Sequence, residues 1–385
     1  AAEAAERFAA DGDKIDFAAR AAACRAAWTK FLGARRFDAC GKELRRHYTL
    51  LYRGRALSNL RDAALRRRVL EKAPPIDSEL TLDLESREGF PRNGEGDMIK
   101  LRDGGILFVY TEYCGTSRHD HATAHLVRRV SGDGGRTWSD AAEVAPRSGA
   151  MNDMSASLLR LEDGRIALFY LRKNSGKDCM PVMRTSDDEG RTWSDETDCL
   201  PKERTGYYVL NNSRAERTCQ GRILLPLWNA AGTISCVYSD DDGKSWRQSE
   251  VYKPKDADGK SFTCQEPGVI ELKDGRIYLY ARTDRGCQWQ AFSRDGGETW
   301  EDFGPSPIDG PLSPATIKRL SSGELVLLWN DHEYLPEFPK IDNWQRAPMT
   351  IAISRDEGKT WTNRRTVLSD LDGFSCYFSM LADGD

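Results

Sequence analysis

SGDGGRTW at Ser131–Trp138, SDDEGRTW at Ser186–Trp193, SDDDGKSW at Ser239–Trp246, SRDGGETW at Ser293–Trp300 and SRDEGKTW at Ser354–Trp361 are five copies of one pattern, Ser-x-Asp-x-Gly-x-Thr/Ser-Trp. Their starts lie 55, 53, 54 and 61 residues apart, and a period of that size marks an array of like supersecondary units. The Asp can accept hydrogen bonds from amides a few residues on, the Gly can take positive φ, and the Trp opens the next strand while burying a large apolar surface. Such a box is a turn-forming device and by itself says little about chemistry.

A second repeat interleaves with the first. IKLRDGGILFVY (Ile99–Tyr110), LLRLEDGRIALFY (Leu158–Tyr170), RTCQGRILLPLW (Arg217–Trp228), VIELKDGRIYLYAR (Val269–Arg282) and IKRLSSGELVLLW (Ile317–Trp329) are apolar runs broken by tight turns, and YFSMLADGD (Tyr377–Asp385) begins a sixth copy. Asp-Gly between β-rich runs is a strong hairpin signal. Two hairpins per repeat make a four-stranded blade, so the expected fold is all-β, a six-bladed β-propeller over residues 76–385 with its last blade incomplete. ELTLDLES (Glu79–Ser86) alternates like a strand and is expected to complete that last blade.

Residues 1–75 read differently. They are rich in Ala, Leu, Arg and Lys at helical spacing, which predicts a short α-helical segment ending at Pro74-Pro75. This segment holds 17 Lys/Arg against 9 Asp/Glu, a surplus of 8 that leaves the remainder at −12 within the chain total of −4. An acidic β-domain is a poor nucleic-acid binder, and the basic helical face reads as a solvated surface. No apolar run reaches the roughly 18–20 residues of a membrane span, so the chain reads as a soluble globular protein. Its ten cysteines show no CxxC pair or metal-type spacing and decide no compartment. The chain opens on Ala with no signal-peptide core in view. The compartment stays open, with a secreted or periplasmic setting favoured over a cytoplasmic one.

Loops on one face of a propeller converge on its axis. At equivalent edges of the inner strands stand Asp120, before the first box, Glu266 in CQEPGVIEL, Arg282 closing LYAR, Arg346 before MTIAIS, and Tyr377. Each has a plainer reading. The arginines could be strand-end partners in ion pairs, Glu266 a turn cap and Tyr377 core. His119, His121 and His125 around Asp120 admit a metal, but no second cluster joins them.

Over residues 76–385 the chain resembles the sialidase (neuraminidase) superfamily, whose propellers carry such Asp boxes. SRHDHATAHLVRRVSGDGGRTW, QEPGVIELKDGRIYLYAR, QRAPMTIAISRDEGKTW and GFSCYFSMLADGD carry the resemblance. It implies Asp120 as acid/base, Tyr377 as nucleophile activated by Glu266, and Arg92, Arg282 and Arg346 as the arginines that hold a substrate carboxylate, with no cofactor or metal. The chain departs from the family where the first arginine usually sits in Arg-Ile-Pro. Here FPRNGEGDMIKL puts Arg92 about two residues earlier relative to the Asp-Gly turn. FVYTEY places Glu112 and Tyr113 where an Arg is common, and the second blade opens on NDMSASLL.

The chemistry accounts for the set. Guanidiniums hold an anomeric carboxylate by bidentate bonds, and a neutral phenol meets that anionic centre without the repulsion a carboxylate nucleophile would suffer. The resemblance implies an exo-α-sialidase-like, retaining hydrolase acting on a sialoglycan or another acidic sugar. The alternatives are a carbohydrate-binding propeller without turnover, or a glycosidase or lyase for another sugar. A binder needs the arginines but has no use for the Tyr377–Glu266 pair.

Overall fold

The computed structural model describes residues 69–201, 203–332, 346–368 and 375–382. The helical segment expected over residues 1–75 lies outside them, except for its end, where residues 69–72 are helical. The chain divides into compact units Ala1–Glu71 and Lys72–Asp385. All that follows concerns the second, whose regular structure is β.

Its strands form successive antiparallel sheets. The first holds β1 (Arg92–Lys100), β2 (Ile106–Tyr113), β3 (Ala124–Ser131) and β4 (Ala142–Glu143). The second holds β5 (Asn152–Arg160), β6 (Ile166–Lys173), β7 (Cys179–Ser186) and β8 (Thr197–Asp198). In the third, the first strand is broken into β9 (Tyr208–Val209) and β10 (Glu216–Arg217), followed by β11 (Ile223–Asn229), β12 (Thr233–Ser239) and β13 (Arg247–Gln248). The fourth holds β14 (Cys264–Glu271), β15 (Ile277–Thr283), β16 (Cys287–Ser293) and β17 (Glu301–Asp309). The fifth holds β18 (Thr316–Arg319), β19 (Leu325–Asn330), β20 (Met349–Ser354) and β21 (Thr362–Leu368). Parallel bridges, Ala124 to Asn152 and Cys179 to Tyr207, tie the first unit to the second and the second to the third.

Apolar seams between consecutive sheets supply the core. Phe169, Leu171 and Met183 of the second unit meet Leu225, Leu227 and Val237 of the third, and Tyr278 and Tyr280 of the fourth meet Ile317, Leu327 and Trp329 of the fifth. Each fully buried side chain of this size contributes roughly 1.5–3 kcal/mol. The Asp-Gly hairpins place these side chains in register.

Each box closes the connection after the third strand of its unit in the same way. Ser131 Oγ donates to Asp133 Oδ1 at 2.8 Å, while Asp133 accepts from the Thr137 amide at 2.9 Å and the Thr137 hydroxyl at 2.7 Å. The Gly135 amide reaches back to Ser131 Oγ at 2.8 Å, and Trp138 Nε1 donates to Gly135 O at 3.0 Å. Asp188, Asp241, Asp295 and Asp356 repeat the carboxylate bonds with Thr192, Ser245, Thr299 and Thr360, while the indole bond is made in the first box alone among the described boxes. Register sets where the boxes lie. Arg92 faces Tyr113, which faces Ala124, at one end of the first sheet, and Lys100, Ile106 and Ser131 align at the other. The box therefore sits at the strand ends remote from Arg92.

One expectation is corrected. Glu79–Ser86 forms no strand among the described residues, and Leu80 is 77% exposed. The backbone pairing occurs earlier: Pro75 bridges Thr366 of β21 in parallel, with the Ile76 amide donating to Thr366 O at 2.9 Å and the Thr366 amide to Pro74 O at 3.1 Å. Alternation gives a strand its faces but no partner, and this edge is taken by the residues just upstream. The repeat count calls for six units with the last incomplete, and five four-stranded units are formed among the described residues. The start of the sixth copy lies in residues 375–382, which form no strand. It is set between the first and fifth units by Ser379 Oγ donating to Asp97 at 2.7 Å and Thr316 Oγ1 donating to Phe378 O at 2.8 Å.

Candidate active site

One backbone conformation recurs, on inner strands at Glu95, Ser155 and Glu266 and outside the strands at Ser213 and Tyr377. Glu95, Ser155, Ser213, Glu266 and Tyr377 have φ of 52°, 64°, 56°, 51° and 62°. At three of them the strand slips register, between Gly94 and Asp97, Met154 and Ser157, and Gln265 and Gly268. A bulge inserts one residue and re-aims its side chain. Left-handed φ at a residue other than glycine costs on the order of 1–3 kcal/mol, and such strain gathers at functional sites. At the first bulge, a Cβ on Gly96 would lie 2.6 Å from the Phe108 ring and 2.7 Å from Val109 O, so the residue after Glu95 must be glycine.

The bulge at Glu266 and the left-handed turn of the chain at Tyr377 bring the two side chains together. Tyr377 Oη lies 3.5 Å from Glu266 Oε1, a long hydrogen bond of the kind that tightens when substrate is bound. Arg282, across the ladder from Gln265, places Nη1 2.9 Å from Glu266 Oε2 and donates from Nη2 to Gln265 Oε1 at 2.9 Å. The Nη1 approach is electrostatic, because its N–H is not aimed along the line between the atoms. Burial pushes the Tyr377 phenol well above its ordinary value, with Glu266 adding and Arg282 opposing. The phenol is therefore neutral at physiological pH and needs a base to act as a nucleophile.

The other edge of the site is built on Arg92, at the start of β1. Its Nη2 donates to Glu95 Oε1 at 2.8 Å, its Nη1 bonds Asp120, and its guanidinium stacks 4.4 Å over the Tyr113 ring. Asp120 lies in the segment joining β2 and β3. Its backbone carbonyl accepts from Lys173 Nζ at 2.9 Å and Asn152 Nδ2 at 3.1 Å, which anchors the segment to the second unit. Partial burial pushes the Asp120 carboxyl up, but the Arg92 hydrogen bond and charge, with Lys173 and His119, outweigh it and the net shift is downward. Glu95 goes the other way. Burial, joined by Asp120 and Glu266, lifts it to about 7 against the pull of Arg92 and Lys173.

Arg346 is buried, donates from Nη2 to Leu312 O at 3.1 Å and has its guanidinium 5.7 Å from the Tyr377 ring centre. A cavity of about 610 Å³ is lined by Arg92, Glu95, Asp120, Arg346 and Tyr377, among others. Thus four of the residues singled out in the sequence line one cavity, and the other two, Glu266 and Arg282, lie against Tyr377. His125 pairs with Glu112 at 3.4 Å, while the His119 and His121 rings lie tilted against each other, 5.1 Å apart, in the Asp120 segment.

Sequence reasoning missed Glu95, Lys173 and Asn152. A signal for Glu95 existed, since Glu95, Ser155 and Glu266 each stand eight residues before the Asp of their unit's Asp-Gly turn. Lys173 and Asn152 act through a backbone carbonyl, which leaves no side-chain pattern to find.

Residues 106–385 match the BNR repeat-like domain model, and the chain belongs to that family, within the sialidase superfamily. It is 28% identical over 334 residues to a sialidase of Micromonospora viridifaciens, a match covering 74% of this chain and 48% of that protein. The chain thus spans about half the length of that relative. Among solved structures, a Hadza microbial sialidase superposes with a TM-score of 0.59 at 16% identity, covering 72% of this chain and 59% of that one. A protein of unknown function from Dyadobacter fermentans gives 0.59 at 18% identity, covering 74% and 85%. At these identities the structural likeness concerns the fold.

Proposed function

We propose that this chain is a retaining exo-glycosidase of sialidase type, carried on a six-bladed propeller and acting on terminal sialic-acid-like sugars. The observation that carries the reading is the Tyr377–Glu266 pair, each residue with left-handed φ and Glu266 on a bulge, beside Arg282. Tyr377 Oη attacks the anomeric carbon and passes its proton to Glu266, while the glycosidic bond breaks and a carboxyl protonates the leaving oxygen. That acid/base role falls to Asp120 on the Arg92 edge, which first takes up the proton it donates from solvent, against the Arg92 bond that favours its charged form. Water then attacks the same carbon, giving its proton to the Asp120 carboxylate, and Tyr377 leaves as the phenol by taking its proton back from Glu266. Arg282 and Arg346, with Arg92, supply the cationic wall for the sugar carboxylate.

A second reading, a glycosidase for another sugar, is favoured by one observation. Both terminal nitrogens of Arg92 are engaged, by Glu95 and Asp120. Release of fluorophore from a 4-methylumbelliferyl sialoside by wild type, and its loss in Tyr377→Phe, tests the first reading. Absence of release by wild type, with release from a neutral glycoside, would select the second. Sugar binding without turnover of either would leave a binding propeller.

A further inference from the structure

The bulge of the first unit holds a carboxyl where its counterparts in the fourth unit and the terminal segment hold Glu266 and Tyr377. Glu95 is 6% exposed and lines the same cavity as Tyr377 and Arg346. The groups facing it come from every element around it. They are Arg92 on its own strand, Tyr113 on β2, Asp120 before β3, Lys173 on β6, Glu266 on β14 and Tyr377 on the terminal segment. Three of these seven groups, Glu95 included, are carboxyls, and Arg92 already spends its two terminal nitrogens on two of them. An incoming carboxylate would be a fourth anion in a buried space. It cannot take bidentate bonds from Arg92 unless one carboxylate lets go, and an unpaired buried carboxylate is costly. Asp120 is partly exposed and can be rehydrated, whereas Glu95 cannot.

We propose that Glu95 belongs to the sugar-binding surface and that the site takes up an anionic sugar together with one proton, which resides on the Glu95 carboxyl. The neutral acid no longer needs Arg92, frees its Nη2 for the ligand, and turns from acceptor to donor toward the ligand's carboxylate. The balance is simple: one proton from solvent joins Glu95, no covalent bond changes, and the charge entering with the sugar is cancelled. Burial that already raises Glu95 toward neutrality favours the same form. Glu95 thereby acts as a specificity residue, admitting carboxylate sugars at acidic pH and rejecting them as pH rises. This rests on the anionic-sugar reading above.

The test is calorimetric titration of wild type and Glu95→Gln with 2,3-didehydro-2-deoxy-N-acetylneuraminic acid and with its methyl ester. It is run at pH 5.5, 7.0 and 8.5 in two buffers of different ionisation enthalpy. Wild type should bind the acid about thirtyfold more weakly at pH 8.5 than at 5.5, the linkage expected of one group titrating near 7. It should take up close to one proton per sugar at pH 8.5, and the ester should show neither effect. In Glu95→Gln the uptake and the pH dependence should vanish. Wild type that binds the acid without proton uptake overturns the inference alone, and needs no variant to fold. Uptake that persists in a folded Glu95→Gln assigns the proton elsewhere and also overturns it. Failure of wild type to bind the acid at any pH overturns both this inference and the anionic-sugar reading.

Discussion

Glu95 and Glu266 occupy the same place in two different sheets: each has left-handed φ on an inner-strand bulge, and each stands eight residues before the Asp of an Asp-Gly turn. Their partners differ. Glu266 lies against Arg282 and Tyr377, while Glu95 shares Arg92 with Asp120. One backbone solution thus presents a carboxyl twice, in two electrostatic settings.

Removing the base should slow chemistry more than binding. For Glu266→Gln and Tyr377→Phe, kcat on a sialoside is expected to fall by about 10²–10⁴, with KM within a few-fold of wild type. Steady-state kinetics on both variants checks this, and a pure KM effect would assign the pair to binding.

Arg282→Ala should cost stability as well as affinity. It leaves Glu266 buried without its cation, both side chains being only 11% exposed, and breaking such a pair costs about 3–5 kcal/mol. Denaturant unfolding should show a loss of that order, and Arg282→Lys should recover part of it.

The boxes predict acid sensitivity. Hydrogen bonds from the Thr137 and Thr360 side chains and amides hold Asp133 and Asp356 down to about 2, against an ordinary 3.8. A carboxyl depressed in the folded state stabilises fully above its unfolded value and loses that contribution as pH falls through the folded one. The thermal midpoint should therefore drop between about pH 4 and pH 2. Asp356→Asn should lie below wild type at pH 7 and decline less steeply in that window.

Glu95 has the opposite sign. Its carboxyl is raised from 4.5 to about 7, so its contribution is full below about pH 4.5 and is lost as pH rises through 7, roughly 3 kcal/mol across the window. Wild type should lose stability between pH 5 and pH 8 relative to Glu95→Gln, measured by denaturant midpoints at each pH.

Gly96→Ala should be disproportionately harmful for a single methyl. The new Cβ meets the Phe108 ring and Val109 O inside normal contact, and overpacking of this kind costs about 1–3 kcal/mol. Because the strand must shift beside Glu95, sialoside affinity should fall as well. Unchanged affinity in the folded variant would show that the bulge tolerates the displacement.

The sheets were legible in the sequence because their signals are local. Asp-Gly turns and the Ser-Asp-Gly-Trp boxes specify conformation within eight residues. Glu79–Ser86 misled because alternation is also local, while pairing depends on an edge that Pro74–Ile76 occupies. Asp120, Glu266, Arg282, Arg346 and Tyr377 could be singled out because they are charged or phenolic side chains at strand ends. The left-handed positions were hidden because Glu, Ser and Tyr carry no mark of positive φ, unlike the glycines of the turns. Arg92 could be named but not its double engagement, which depends on a bulge and a loop meeting in space.

Five inner positions share one backbone geometry but carry three kinds of side chain, and at two of them, Ser155 and Ser213, the side chain is a short hydroxymethyl. The strain at these points is a property of the scaffold, independent of which residue bears it. Repertoire and framework are thereby uncoupled: a new acid, base or cation can be installed at Ser155 or Ser213 by one codon change, with the boxes that lock the sheets at the far strand ends left untouched. Divergent chemistries on this architecture would then differ first at these sockets, and comparing those positions alone should sort its members by substrate.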